Sequence, residues 1–125
     1  MITREPLTGR LLTQGVIPPD TVALGASPSE YHPGAGKPSR WQAIGGDGAY
    51  GITLAQLRGI DRPNLFGAGR VLSGERTPAA SARVIGTAFA TGHAAGVAAA
   101  LHALDPGEAQ LTRKELLRQG AILAL

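Results

Sequence analysis

The stretch Ser81–Leu104, "SARVIGTAFATGHAAGVAAALHAL", decides how this chain is read. It carries one arginine and two histidines among residues that are otherwise almost all small or apolar. A surface helix shows a charged face opposite its apolar stripe. This one has no side suited to water, so it belongs inside a protein, covered all round. Its length is near the ~20 residues that cross a bilayer, and Gly92 and Gly96 have the spacing of a membrane packing motif. Alanine and glycine gain little from transfer to lipid, however, and two histidines sit within the segment. A protein interior is the expected setting, and no membrane partner is expected.

The totals limit what could surround such a helix. A chain of 125 residues suits one small domain at most. Its aromatics are few: Tyr31, Trp41, Tyr50, Phe66 and Phe89, against 18 glycines and 9 prolines. A small domain buries a modest share of its surface even with large side chains. The chain is therefore expected to be an incomplete unit with poor stability on its own. The net charge is +3, carried mostly by arginines from Arg4 to Arg118 that read as dispersed, solvated charge. A nucleic-acid surface clusters its charge and interleaves aromatics, so no nucleic-acid partner is expected. With no cysteine there is no disulfide, thiolate metal site or thiol nucleophile. The opening "MITREPLTG" lacks the charged and apolar regions of a signal peptide, and the expected location is the cytoplasm.

Along the chain, Glu5–Thr13 reads as extended, with turns at Gly9 and Gly15. Pro19 and Asp20 are placed to open a short helix that Gly25 closes. "SPSEYHPGAGKPSRW" reads as irregular loop. "GAYGITLAQLRG" reads as a strand with Ile52, Leu54 and Leu57 as its apolar positions, and "NLFGAG" as a short buried strand followed by a turn at Ser73-Gly74. The long helix has three alternative starts, at Thr77-Pro78, Ser81 or Thr87, and ends at 105–107. Thr112 and Glu115 stand at capping-box spacing before a closing helix that Gly120 stops. One parallel-type strand–turn–helix unit thus occupies Asn64–Leu104, too little to cover the helix on both sides.

The chemistry-bearing signals are sparse. Gly67, Gly69 and Gly74 match neither G-x-G-x-x-G nor a Walker A loop. A strand of small residues turning into a helix N-terminus would still let backbone N–H groups face a ligand. His93 and His102, nine apart on a helix, do not converge on one ion, and no metal site is expected. There is no nucleophile elbow and no marked carboxylate pair. No catalytic residue can be assigned. Arg83, at the helix entry, is suited to pair with an anion or with a surface carboxylate.

The segments "NLFGAGR", "SARVIGTAFATGHAAG" and "ELLRQGAIL" resemble the C-terminal end of the FAD-dependent oxidoreductase family, within the glutathione-reductase-type flavoproteins. "ALGASPSEYH" and "YGITLAQLRG" resemble it more loosely. The resemblance implies an α/β fold: the last strand and helix of an FAD-binding Rossmann-type domain over 63–125, joined to strands of the substrate-side region over 1–62 with its loop at 32–48. It implies FAD as cofactor and a small-molecule substrate. Carried over, Ala68, Gly69 and Arg70 border the FAD chain, Gly86 and Thr87 sit at the flavin ring, and Arg83 lies on the flavin–substrate side. His32 falls in the substrate-side loop without an assigned role. The family's strand–G-x-G-x-x-G–helix fingerprint and the acidic residue that holds the ribose are missing. The expected identity is thus a C-terminal fragment of an FAD-dependent oxidoreductase. Alone it should bind FAD weakly or not at all, and its partner is the missing N-terminal half or a larger flavoprotein chain. The alternative is a non-enzymatic fragment or accessory subunit docking on such a chain.

Overall fold

The computed structural model describes residues 1–106 and 108–125. The fold is a mix of helices and two small antiparallel sheets, compatible with the α/β class. The first helix, α1 (Gly9–Gln14), stands where an extended segment is expected. Its start is held from far along the chain, by the Glu75 carboxylate accepting from the Gly9 N–H at 2.9 Å. No local pattern announces that support. Its end is closed by the Gly15 N–H, which donates to Leu11 and Leu12 carbonyls.

Strand β1 (Thr21–Gly25) replaces the short helix expected after Pro19. Thr21 and Val22 are β-branched and resist helix, and the segment gains a partner in β4 (Tyr50–Thr53), where Ala23 faces Ile52 and Gly25 faces Tyr50. The glycine at 25 is required by packing: a Cβ there would stand 2.4 Å from the Tyr50 ring. The loop between them holds a second hairpin, β2 (Ser29–Tyr31) with β3 (Arg40–Gln42), which was not expected. Strand β4 ends at Thr53, and a one-turn helix α2 (Leu54–Leu57) follows, started by the Gln56 side chain accepting from the Thr53 N–H at 2.9 Å.

The "NLFGAG" segment is extended but joins neither sheet. It runs antiparallel to 57–59, through Gly59 N–H to Leu65 O (2.9 Å) and Gly67 N–H to Leu57 O (2.8 Å). A 3-10 turn, Gly69–Val71, follows it. The long helix is in fact two: α3 (Arg76–Ala82) and α4 (Ile85–Leu104), bent by 86°. The bend falls at Val84, whose extended backbone (φ −70°, ψ 153°) ends one helix and caps the next. None of the three expected starts holds. Thr77 and Pro78 lie inside α3, Ser81 is buried near its end, and Thr87 lies within the first turn of α4. The closing helix α5 (Thr112–Arg118) begins one residue earlier than the capping box requires, with Leu111 at its cap position, so Glu115 pairs forward with Arg118 at 2.6 Å instead of back to a cap.

The core lies where β1 and β4 pack between α4 and α1, with α5 beside α4 and β1. It is built from Leu7, Leu12, Val22, Ile52, Leu57 and Leu116, with Tyr50 as its one fully buried aromatic. The Tyr50 hydroxyl donates to Ser81 Oγ at 3.0 Å, which in turn donates to the Ser27 carbonyl. Burial raises the Tyr50 pKa above its ordinary value of 10.0, partly offset by the Ser81 bond.

Helix α4 buries only half its circumference. Thr87, Thr91, Ala94, Ala95 and Ala98 face the core. Ile85, Phe89, Gly92, Gly96, Ala99, Ala100 and Ala103 form one continuous outer arc, and all are exposed, Phe89 to 75 % and Ile85 to 76 %. The reading that no side of this helix is meant for water is therefore half met within the chain. Among the described residues no single helix is long and apolar enough to cross a membrane.

Candidate functional site

The two segments singled out in the sequence meet at one end of α4. Gly69 opens the 3-10 turn in the left-handed region (φ +59°), which favours glycine. A Cβ on it would lie 3.1 Å from that of Ala88, so the turn sits directly on the first turns of α4. Its N–H donates to Thr91 Oγ1 at 3.0 Å, and that hydroxyl donates to the Thr87 carbonyl at 2.8 Å. Thr91 is fully buried, so this bond fixes the turn to the helix from within. Ala68 is half-buried, Gly69 is buried and Arg70 is exposed.

At the helix start, the first backbone bond runs from Ala88 N–H to Val84 O at 2.9 Å. The amides of Ile85, Gly86 and Thr87 therefore point out of the helix end without an intrahelical partner. Gly86 is exposed, and a Cβ built on it would meet nothing within 4 Å. Thr87 turns its side chain into the core, leaving its backbone as the part that can face outward. A helix of 20 residues adds its dipole to these amides, so an electron-rich group placed there is stabilised.

Beside this helix end lies a cavity of about 740 Å³, lined by Gly69, Arg70, Arg76 and Arg83 together with Tyr31 and His32. The arginines were expected to be dispersed, and here three converge. The cause is helical spacing: Arg76, Ala79, Ala80 and Arg83 follow an i, i+3, i+4, i+7 pattern on one face of α3 and its cap. Arg83 donates to the carbonyls of Glu30 (3.2 Å) and Ala80 (3.3 Å). Arg76 stacks over the Tyr31 ring at 5.6 Å. Among the described residues no carboxylate pairs with Arg70, Arg76 or Arg83. His32 Nδ1 is hydrogen-bonded to Ser39 Oγ at 2.9 Å, which leaves Nε2 for another partner. Sequence reasoning missed Arg76 and Tyr31. The seven-residue Arg76–Arg83 spacing was the available signal, and the unexpected hairpin that delivers Tyr31 had none.

The other histidines are engaged elsewhere. His93 Nε2 lies 2.6 Å from Gln119 Oε1, and His102 Nδ1 accepts from the Arg58 guanidinium at 3.3 Å. No group of three residues able to hold a metal ion occurs among the described residues.

A G-x-G-x-x-G spacing does occur once, at Gly46, Gly48 and Gly51. It runs into strand β4 and does not connect a strand to a helix, so no helix N-terminus stands behind it. The open amides and the unobstructed Gly86 thus admit close approach of an electron-rich group such as the edge of a flavin ring. Among the described residues no strand–glycine turn–helix unit of the kind that holds a dinucleotide's pyrophosphate and adenosine stands beside them. A model of the FAD dependent oxidoreductase family matches residues 1–118. Searches of curated proteins and of solved structures found no significant match.

Proposed function

Because the chain belongs to the FAD dependent oxidoreductase family, we propose that it supplies the flavin-facing C-terminal segment of such an enzyme. On this reading, 63–125 completes a Rossmann-type FAD domain whose remaining strands lie in another segment or chain. The observation that carries it is the junction of Gly69–Arg70 with the start of α4, where the amides of Ile85 to Thr87 are open. Gly86 and the Thr87 backbone would hold the pyrimidine edge of the flavin. Ala68, Gly69 and Arg70 would border its ribityl and phosphate chain. Arg83 would stand between flavin and substrate. When bound, the flavin supplies the two-electron chemistry; these residues bind, orient and neutralise charge.

The outer arc of α4 supports the need for a partner. An arc with no ionised residue, and with glycines at 92 and 96 that let a backbone approach closely, is costly to leave in water. The missing FAD-binding sheet would cover it. Equilibrium dialysis tests the proposal: the isolated chain should retain little FAD, and stoichiometric yellow complex should appear on adding a partner with a strand–G-x-G-x-x-G–helix unit. A tight complex with the isolated chain would refute the division of the site. Unchanged flavin binding by the partner without this chain would assign it the accessory role.

A further inference from the structure

We infer that the arginine cavity is a recognition site for the carboxylate group of a small organic acid. This deepens the preceding reading by naming a substrate class for the same site, and it rests on that reading only for the claim that the acid is oxidised or reduced there. Three arginines from two elements line the space: Arg70 from the 3-10 turn, Arg76 and Arg83 from the face of α3 and its cap. Like charges so gathered repel one another unless an anion lies between them. Among the described residues none of the three is ion-paired. Two are already oriented by neutral groups, Arg83 by the Glu30 and Ala80 carbonyls and Arg76 by the Tyr31 ring. Such anchoring aims a planar fork without neutralising it, which suits bidentate binding of a carboxylate.

The rest of the lining tells carboxylate from free phosphate. Leu72, Ala79, Ala80 and Ala82 give the cavity apolar lining alongside the arginines. A bare inorganic anion makes no use of that lining, whereas an acid with an uncharged carbon body covers it. His32 also lines the cavity, and with its Nδ1 engaged by Ser39 its Nε2 is the ring nitrogen left for a further polar group of the same molecule.

The test needs no flavin, so its failure leaves the flavin reading standing, and the reverse. The full chain is titrated with succinate and with phenylacetate, and in parallel with their amides, inorganic phosphate and pyrophosphate at constant ionic strength. Arginine Nε–Hε resonances and circular dichroism are followed. Saturating shifts at Arg70, Arg76 and Arg83 with either carboxylate, and none with the amides, are the expected result. Arg76→Ala should weaken that binding by about tenfold, the loss of one charge-assisted pair, while Arg118→Ala should not. If the free chain is only partly folded, the carboxylates should raise its helicity and the amides should not, since a ligand of the native state stabilises it. Equal response to acids and amides, or tighter binding of phosphate or pyrophosphate than of either acid, would overturn the assignment.

Discussion

Replacing Thr91 by valine isolates the bond that joins the two halves of the site. Valine matches threonine in shape, so helix α4 keeps its packing and the change removes one oxygen. That oxygen accepts the Gly69 N–H at 3.0 Å, in a place where Thr91 is fully buried and Gly69 is buried too. The amide is then left without an acceptor. Orphaning a buried donor costs about 1–3 kcal/mol, which for a chain of this size lowers the melting point by roughly 3–5 °C per kcal/mol. The Thr87 carbonyl loses little, because it still accepts within the helix. Thr91→Ser keeps the oxygen and loses a methyl group, at about 1 kcal/mol. The two variants can thus resemble each other in a denaturant melt, and hydrogen exchange separates them. Gly69 should exchange much faster in Thr91→Val and stay protected in Thr91→Ser. Equal Gly69 protection in both variants, or a valine variant as stable as the parent, would refute the argument that this bond seats the turn on the helix.

Further outcomes follow from the same contacts. Gly69→Ala should cost about 1–2 kcal/mol in chemical denaturation, since the residue sits at φ +59° and its new methyl would crowd Ala88. Phe89→Lys should change the melting point of the free chain by less than about 1 kcal/mol equivalent, because the ring is 75 % exposed, yet it should block association with a flavoprotein partner in a pull-down. Tyr50→Phe should destabilise by about 0.5–1.5 kcal/mol through loss of the Ser81 bond. The wild-type chain should lose stability as pH rises past 10.0, where the unfolded tyrosine ionises before the buried one. Glu115 should titrate near 2 and not at its ordinary 4.5, held down by Arg118 and then Gln119, as followed by carboxyl NMR. Its contribution is present above pH 4.5 and is lost as pH falls through about 2.

How far the sequence reveals this molecule depends on how far each element's cause lies along the chain. The helical stretch at 85–104 and the stop at Gly120 are legible because composition and local spacing determine them. The break at Val84 is not, because nothing in "ARVIG" marks an 86° turn. Strand β1 reads as a helix in sequence because Pro19-Asp20 is a sound helix opening, and its competitor is a partner strand some thirty residues away. Helix α1 needs the carboxylate of Glu75, and the hairpin β2–β3 hides in a proline- and glycine-rich loop. Of the site, Gly69 and Arg83 are marked by local pattern, as part of a glycine-rich turn and as the arginine at the helix entry, and the family resemblance points to both again. Arg76 shares the α3 face with Arg83 through helical spacing, whereas Tyr31 reaches the same cavity only through tertiary packing.

The proposed function stands or falls on whether the open start of α4 faces the flavin. Gly86→Val probes this, in the flavin content of the assembled enzyme measured against the same assembly with the unsubstituted chain. Nothing lies within 4 Å of a Cβ at Gly86, and valine is a better helix former than glycine, so the chain itself should fold as before. With the flavin at that helix start, the assembled enzyme carrying Gly86→Val should form its complex but lose most of its flavin. A full complement of flavin, with an unshifted absorption spectrum, would contradict it.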